Sequence, residues 1–324
     1  MRAGTKVLLV AVVLALLLIA GKLFLSEASF SPANPSWDGV SSVMTDSMRP
    51  LYGLDQLPQD GLHSTLLIVG PSVNYTAGDA GQVQSFLQRG GRVVVLDDFG
   101  TANSLLQNIS SPIAIDHRPV CQDVEYYKKA TFPTVSQIED SSLTANVSRL
   151  VFNHPALLQV SGDATVLART TTMGWLDVND NGILDGDEKF GSYPLVARAS
   201  RGAGELFVAA DADLAINSMQ DMGDNRIFIG NILQSGTVYL DVAHGQQVPP
   251  LAWLYYTIKY NIVVQILFAL LIFISGYAYL MRGRIFRRRE PEESQPDTRG
   301  MLIASMKARL PLNDREIKEI KKKL

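Results

Sequence analysis

A chain of 324 residues has room for one large or two ordinary domains, and 32 acidic against 29 basic side chains leave a net charge of −3. The charge is sorted: residues 1–25 hold Arg2, Lys6 and Lys22 with no acid, residues 282–324 hold 13 basic and 7 acidic groups, and residues 26–281 keep 13 basic and 25 acidic. An acidic body of net −12 between basic ends argues against nucleic-acid binding by the middle of the chain, and the single cysteine, Cys121, excludes an intramolecular disulfide.

The first element is VLLVAVVLALLLIAGKLFL (7–25), where Arg2 and Lys6 precede 15 apolar residues and Lys22 interrupts the run before Leu25. Its length suits an uncut transmembrane anchor over residues 1–28, while SEA at 26–28 before Ser29 would also serve as a signal-peptide cleavage site. Both readings put residues 29–258 outside the cell membrane. Three N-x-S/T sequons, at Asn74, Asn108 and Asn146, are candidate glycosylation sites consistent with that location.

Residues 29–250 read as one exported domain. TLLIVG (65–70) is a continuous apolar run, and AGDAGQVQSFLQRGG repeats Val83, Phe86 and Leu87 at helical spacing before a double-glycine stop. RVVVL (92–96) and the short helical piece ANSLLQNI follow, and strands apolar on both faces alternating with helices predict a mostly parallel sheet covered on both sides. ATVLART, YPLVARAS and ELFVAA are strand-like, the last two joined by the tight turn RGAG, and IFIGNILQSG predicts a final helix before the linker GQQVPP.

Between those strand-like segments, residues 177–188 read DVNDNGILDGDE. Asp177, Asn179, Asn181, Asp185 and Glu188 occupy positions 1, 3, 5, 9 and 12 of an EF-hand calcium loop, position 7 would lend the Ile183 carbonyl, and Gly182 supplies the sharp turn. The flanking segments are β-type, so the loop is expected between strands, without the paired helices of a sensor. Counting Asp180 and Asp187, the loop holds five carboxylates. At about 5 Å and an effective dielectric near 20 each close pair costs about 3 kcal/mol, so the loop is expected to need a cation for order. The expected cofactor is a structural Ca2+, weakly held and standing in for the absent disulfides; an acidic solvent loop that binds nothing is the alternative.

IVVQILFALLIFISGYAYLM, Ile262–Met281, is 20 residues long with Gln265 and Ser275 as its clear polar interruptions. At about 1.5 Å per residue it matches a bilayer core of about 30 Å, and a transmembrane helix is expected over 260–282. Trp253, Tyr255, Tyr256 and Tyr260 precede it, and Arg282, Arg284, Arg287, Arg288 and Arg289 follow, so the positive-inside rule places both termini in the cytoplasm. The basic tail 283–324 ends in two short amphipathic segments broken by Pro311. Residues 300–324 are expected to dock a cytoplasmic protein partner, or to lie on the lipid bilayer through Lys321–Lys323.

The combination of NPSWDG, LLIVGPSVNYT, FLQRGGRVVVLDDFGTANSLL, GSYPLVARASRGAGELFVAAD and DLAINSMQDMGDNRIFIGNIL, over about residues 29–240, resembles a prokaryotic, often archaeal, membrane-anchored family known as domain of unknown function four thousand three hundred and fifty. The resemblance implies an α/β, flavodoxin-like (class I glutamine amidotransferase-like) mostly parallel sheet, here flanked by two transmembrane helices, and a partnership with MoxR-type ATPase systems. It implies no reaction.

Amidotransferases carry a cysteine on the sharp turn between a strand and the next helix, where the helix N-terminus lowers its pKa. The corresponding turn here is Leu96-Asp97-Asp98-Phe99-Gly100, which has no thiol. Cys121 and His117 would share one strand face, but an inert lone cysteine is the commoner case. There is no G-x-S-x-G, Walker loop or H-E-x-x-H. The remaining candidates are Asp97 and Asp98 after VVVL, and Asp211 and Asp213 after LFVAA, with Asn217, Asp224 and Asn225 downstream. If the two strands are parallel neighbours, these form a candidate ligand rim at the carboxyl end of the sheet. Helix capping, by Asp98 or Thr101 and by Asp213, would explain the same residue types. The function expected is a non-catalytic binding or scaffold subunit, with a hydrolase using the strand-end aspartates, or a solute receptor, as alternatives.

Overall fold

The protein was analysed as a computed structural model, which describes residues 28–117, 120–234, 236–246 and 297–323, with the isolated positions 266, 270, 276 and 277. It divides into two compact units, Met1–Tyr260 and Asn261–Leu324.

The first unit opens with β1 (Met48–Leu51), β2 (Ser64–Val69), helix α1 (Ala77–Gln88), β3 (Arg92–Leu96) and helix α2 (Ala102–Asn108). A β-rich middle follows: β4 (Ile113–Asp116), β5 (Val120–Gln122), β6 (Thr134–Val135), β7 (Gln137–Ile138), β8 (Leu150–Val151), β9 (Leu157–Val160) and β10 (Thr165–Arg169). Then come β11 (Gly174–Asp177), β12 (Phe190–Gly191), β13 (Pro194–Arg201), β14 (Gly204–Ala209), α3 (Asn225–Leu233) and β15 (Thr237–Asp241).

Eight strands form the central sheet in the order β1-β15-β2-β3-β14-β13-β10-β7. The first five run parallel; the last three are added antiparallel. The mostly parallel sheet expected from sequence is therefore a mixed one. The turn after Arg201 is too short for a crossover, so β13 folds straight back on β14, with Arg201 opposite Gly204. Gly204 is required there, since a Cβ would lie 2.1 Å from the Gly91 carbonyl oxygen. Val93, Val94, Val95 and Leu96 of β3 are all buried, which only a sheet covered on both faces allows. Helix α1 starts at a capping box, with Thr76 Oγ1 accepting from the Asp79 N–H and Asp79 returning a bond to the Thr76 N–H, and it buries Val83, Phe86 and Leu87.

The second unit contains α4 (Thr298–Arg309) and α5 (Asp314–Lys323). The capping box expected at Asn313 and Glu316 is formed, and Ile303, Met306, Leu312, Ile317 and Ile320 share one small crevice.

Among the described residues no helix is long and apolar enough to cross a membrane. The two flanking transmembrane helices expected from the sequence are therefore no part of the described fold, whose longest helices, α1 and α4, at 12 residues each, reach about 18 Å against a core of about 30 Å. The segments expected to span, 1–28 and 260–282, fall almost wholly outside the described residues.

Candidate functional site

Strands β3 and β14 are parallel neighbours, with Leu96 opposite Ala209, so the residues that follow them meet at one edge. Asp97, Asp98, Asp211 and Asp213 are brought together there. Asp97 is fully buried; its Oδ1 accepts the Gly100 N–H at 2.9 Å and its Oδ2 the Ala102 N–H at 3.0 Å, which caps α2 from inside the fold. Asp211, also fully buried, accepts the Asp213 N–H at 2.8 Å and the Asn153 N–H at 2.6 Å. Capping therefore falls to Asp97 and Asp211 rather than to Asp98 or Thr101 and to Asp213. Thr101 instead donates its hydroxyl to the Val73 carbonyl, and Asp213 accepts from the Asn153 amide.

Burial sets the electrostatics of this edge. It pushes the Asp97 carboxyl up from 3.8 to about 7, with the Asp98 charge adding to the rise. Asp211 is held well above the ordinary carboxylate range by burial and then by Asp213 and Asp98. Asp213 rises to about 6, through burial and Asp98. Burial raises Asp98 and lowers His117.

Asn217 and Asn225 make no hydrogen bond to these four aspartates. Asn217 donates to the Ser36 carbonyl and accepts the Ser42 N–H, tying the first loop down. Asn225 is buried and clasps both backbone groups of Val151. Both amides are taken up by backbone far away along the chain.

The loop 177–188 sits between β11 and β12, which pair antiparallel at Gly174–Gly191 and Trp175–Phe190. Asp177 is fully buried at the end of β11. Its Oδ1 accepts the Asn181 N–H at 3.0 Å, and its Oδ2 accepts the Gly182 N–H at 2.7 Å and the Gln122 side-chain N–H. Glu188 reaches back to the N–H groups of Val178 and Asp185, closing the ring from the far end. Asn179 and Asn181 each donate an amide N–H to Asp185 Oδ2 at 2.8 Å. The two left-handed backbone positions, Asp180 at φ 55° and Gly182 at φ 73°, are the fourth and sixth of the loop, where the chain must turn inward. Asp180 points away and pairs with His154 Nε2 at 3.0 Å.

Among the described residues no group of three or more His, Cys, Asp or Glu side chains is drawn close enough to hold a metal ion. Asp177 is a buried carboxylate with no cationic side chain paired to it among the described residues, and Asp185 and Glu188 lie further along the same loop. Turning over the Asn179 and Asn181 amides would present two further oxygens, and the Ile183 carbonyl another, giving an all-oxygen set suited to Ca2+. Beside the loop, Gln122 Oε1 and Trp175 Nε1 are buried without a hydrogen-bond partner.

The three sequon asparagines, Asn74, Asn108 and Asn146, are all exposed. Cys121 lies in β5 opposite Leu176 of β11.

A second cluster at the carboxyl edge escaped sequence reasoning. His244 is buried between Asp241, at 2.8 Å from Nδ1, and Asp79, at 3.5 Å from Nε2, and its ring stacks on Tyr75 at 3.8 Å. The Tyr75 hydroxyl donates to Asp241 at 2.7 Å. Burial opposes the charge on His244, but the hydrogen bond and charge of Asp241, and then Asp79, outweigh it and raise its pKa. The Ser72 and Val73 N–H groups both donate to the His244 carbonyl, so this residue locks the loop after β2 to the strand end of β15. The aspartate three residues before His244, directly after an apolar TVYL run, is the one signal the sequence offers.

No curated protein matches the chain. Among solved structures, an mmIFT52 N-terminal domain is 19% identical, with 52% of this chain and 75% of that one covered and a TM-score of 0.41. A beta-galactosidase from Bacillus circulans sp. alkalophilus is 15% identical, covering 53% of this chain and 22% of that one at a TM-score of 0.33. A cytoplasmic protein from Salmonella typhimurium LT2 is 10% identical, covering 61% and 80% at 0.32. These likenesses are too distant to carry function. The family match is direct, and with residues 32–233 covered the chain belongs to the family described as Domain of unknown function (DUF4350).

Proposed function

We propose that the chain is a non-catalytic binding or scaffold subunit acting outside the cytoplasm, with the hairpin from β11 to β12 fixed by a calcium ion. Asp177, Asn179, Asn181, Asp185 and Glu188 hold the ion by side chain and Ile183 by its carbonyl. Bound calcium supplies the positive charge that a buried, unpaired carboxylate at Asp177 lacks.

The observation that carries the non-catalytic reading is that Asp97 and Asp211 spend their oxygens on backbone N–H groups and have no exposed surface. A general acid or base must reach a substrate proton. A hydrolase using the strand-end aspartates is the rival reading, favoured by Asp213 being held near 6, within the range useful for acid–base work. The partner that fits best is an ATPase of the MoxR type docking on residues 300–324, where Met301 and Leu302 of α4 are left exposed.

Calcium titration of the full chain tests the metal: the melting temperature rises and the emission of Trp175 shifts, and a flat response in both removes the ion from the reading. Assay of the same protein on glycan and peptide substrates tests the rest. Turnover that disappears in Asp211→Asn would replace a scaffold with a hydrolase.

A further inference from the structure

A trough of about 650 Å³ opens between the loop after β5 and the turn before α3, in the range of small-molecule sites of about 300–1,000 Å³. Its wall carries Tyr126 and Tyr127, which are 51% and 40% exposed, too open for core packing to account for them. Glu125, Arg149 and Asp221 stand around them, with Met222 lining it beside Gly223.

We propose that this trough is a binding site for an uncharged oligosaccharide. A pyranose has an apolar face of C–H groups and a rim of hydroxyls, each both donor and acceptor. An exposed aromatic ring covers the first, and carboxylates, guanidinium and hydroxyl groups answer the second. The Lys128 ammonium lies 5.0 Å from the Tyr127 ring centroid and takes one of its faces, so Tyr126 is the stacking platform and Tyr127 the flank. Neither tyrosine hydroxyl, nor the Arg149 guanidinium, has a hydrogen-bond partner among the described residues. Asp221 is already ion-paired to Arg226 at 2.5 Å, so Glu125 and Arg149 leave one acid against one base on the lining, a balance that suits an uncharged ligand.

An extended peptide fits less well, because adding a strand requires unpaired main-chain groups along the wall. Those are already used: the Tyr127 N–H donates to the Phe132 carbonyl at 2.9 Å, and the Thr134 N–H to the Glu125 carbonyl at 2.7 Å. Tyr126 and Pro133 close the same turn as a bridge.

Saturation-transfer NMR on the full chain with maltotriose, cellotriose and chitotriose is the test, followed by titration of whichever binds. At least one trisaccharide binds; Tyr126→Ala weakens it at least tenfold, Tyr127→Phe by about two- to threefold, and the melting temperature does not move, since both rings are half in water. Glu125→Gln, an exposed change that leaves folding alone, weakens the same complex. The proposal is overturned if none of the three sugars binds, or if binding survives both Tyr126→Ala and Glu125→Gln. It is equally overturned if a proline-rich decapeptide binds with Tyr126 dependence while the sugars do not.

Discussion

The strand-end rim and the hairpin loop are both built from aspartates, yet they meet the cost of buried negative charge in opposite ways. At the rim, Asp97 and Asp211 turn inward, take backbone N–H donors and are raised by burial, so their protonated forms are favoured. In the loop, Asp177 is buried with three N–H donors and, among the described residues, no cationic partner, while Asp185 takes the Asn179 and Asn181 amides and Glu188 the Val178 and Asp185 N–H groups. A proton relieves the first arrangement, and three N–H donors meet the buried charge in the second. Residue type therefore says little about role; what decides is whether neighbouring acids share a centre or each face their own backbone.

The largest break in that comparison is Asp177→Ala. It strips the acceptor from buried Gln122 and from the Gly182 N–H and one of the two acceptors of the Asn181 N–H, at roughly 1–3 kcal/mol for a donor left without a partner in the interior, besides emptying a fully buried position. A loss of about 3–5 kcal/mol in urea unfolding is expected, together with the disappearance of any calcium-dependent rise in melting temperature. If calcium still stabilises the variant, the loop is not the site.

Next in size is the response to pH. A carboxyl whose folded pKa is raised contributes stability that is fully present below its unfolded value and lost as pH rises through the folded value. For Asp97 that window runs from 3.8 to about 7, and for Asp213 it closes near 6. Between pH 5 and 7.5 Asp97 alone should cost about 2–3 kcal/mol. His244, also raised, loses its contribution in the same direction as pH climbs past its folded value. Comparing Asp97→Asn with the parent isolates its share: the variant should show a flatter pH profile, and an unchanged slope would assign the effect to Asp211, Asp213 and His244.

What the sequence revealed depended on whether a feature was local. RVVVL, the turn RGAG and the loop 177–188 are local statements, and all lie in the fold where the residue pattern put them. That Asp97 and Asp211 share an edge followed from two strands ending alike, given parallel pairing. The antiparallel edge was harder to see, because β7 is two residues long and has no periodicity to detect. The partners of Asn217 and Asn225 were not legible, because sequence position fixes where a backbone runs, not which distant carbonyl claims an amide. The His244 cluster needs Asp79 from the cap of α1 and Asp241 from the end of β15, a pairing that exists only after the sheet has formed.

At about 1 kcal/mol, Thr76→Ala is the third expected effect, since it removes the hydroxyl that accepts the Asp79 N–H in the capping box. Thr76 also lowers the Asp79 pKa, more than His244 does, although burial pushes the other way. Asp79 thus has the opposite sign to the rim: its stabilisation is present above 3.8 and is lost as pH falls through its depressed value. Unfolding at pH 3 should therefore differ less between Thr76→Ala and the parent than unfolding at pH 6.

The smallest expected effect isolates the loop backbone from its side chains. Ile183 is 65% exposed, and its N–H is held by Asn181 Oδ1 at 2.8 Å, so the side chain buries little while the backbone is fixed by its neighbour. Because only the Ile183 carbonyl would face the ion, Ile183→Ala should change stability by less than about 0.5 kcal/mol and leave calcium affinity within about twofold of the parent. Asn181→Ala is the matched contrast: it removes both the amide and the hydrogen bond that positions that carbonyl, and should weaken calcium at least tenfold. Equal affinities for the two variants, measured by calcium titration of Trp175 emission, would mean that the ring around residues 177–188 is an ordinary acidic turn.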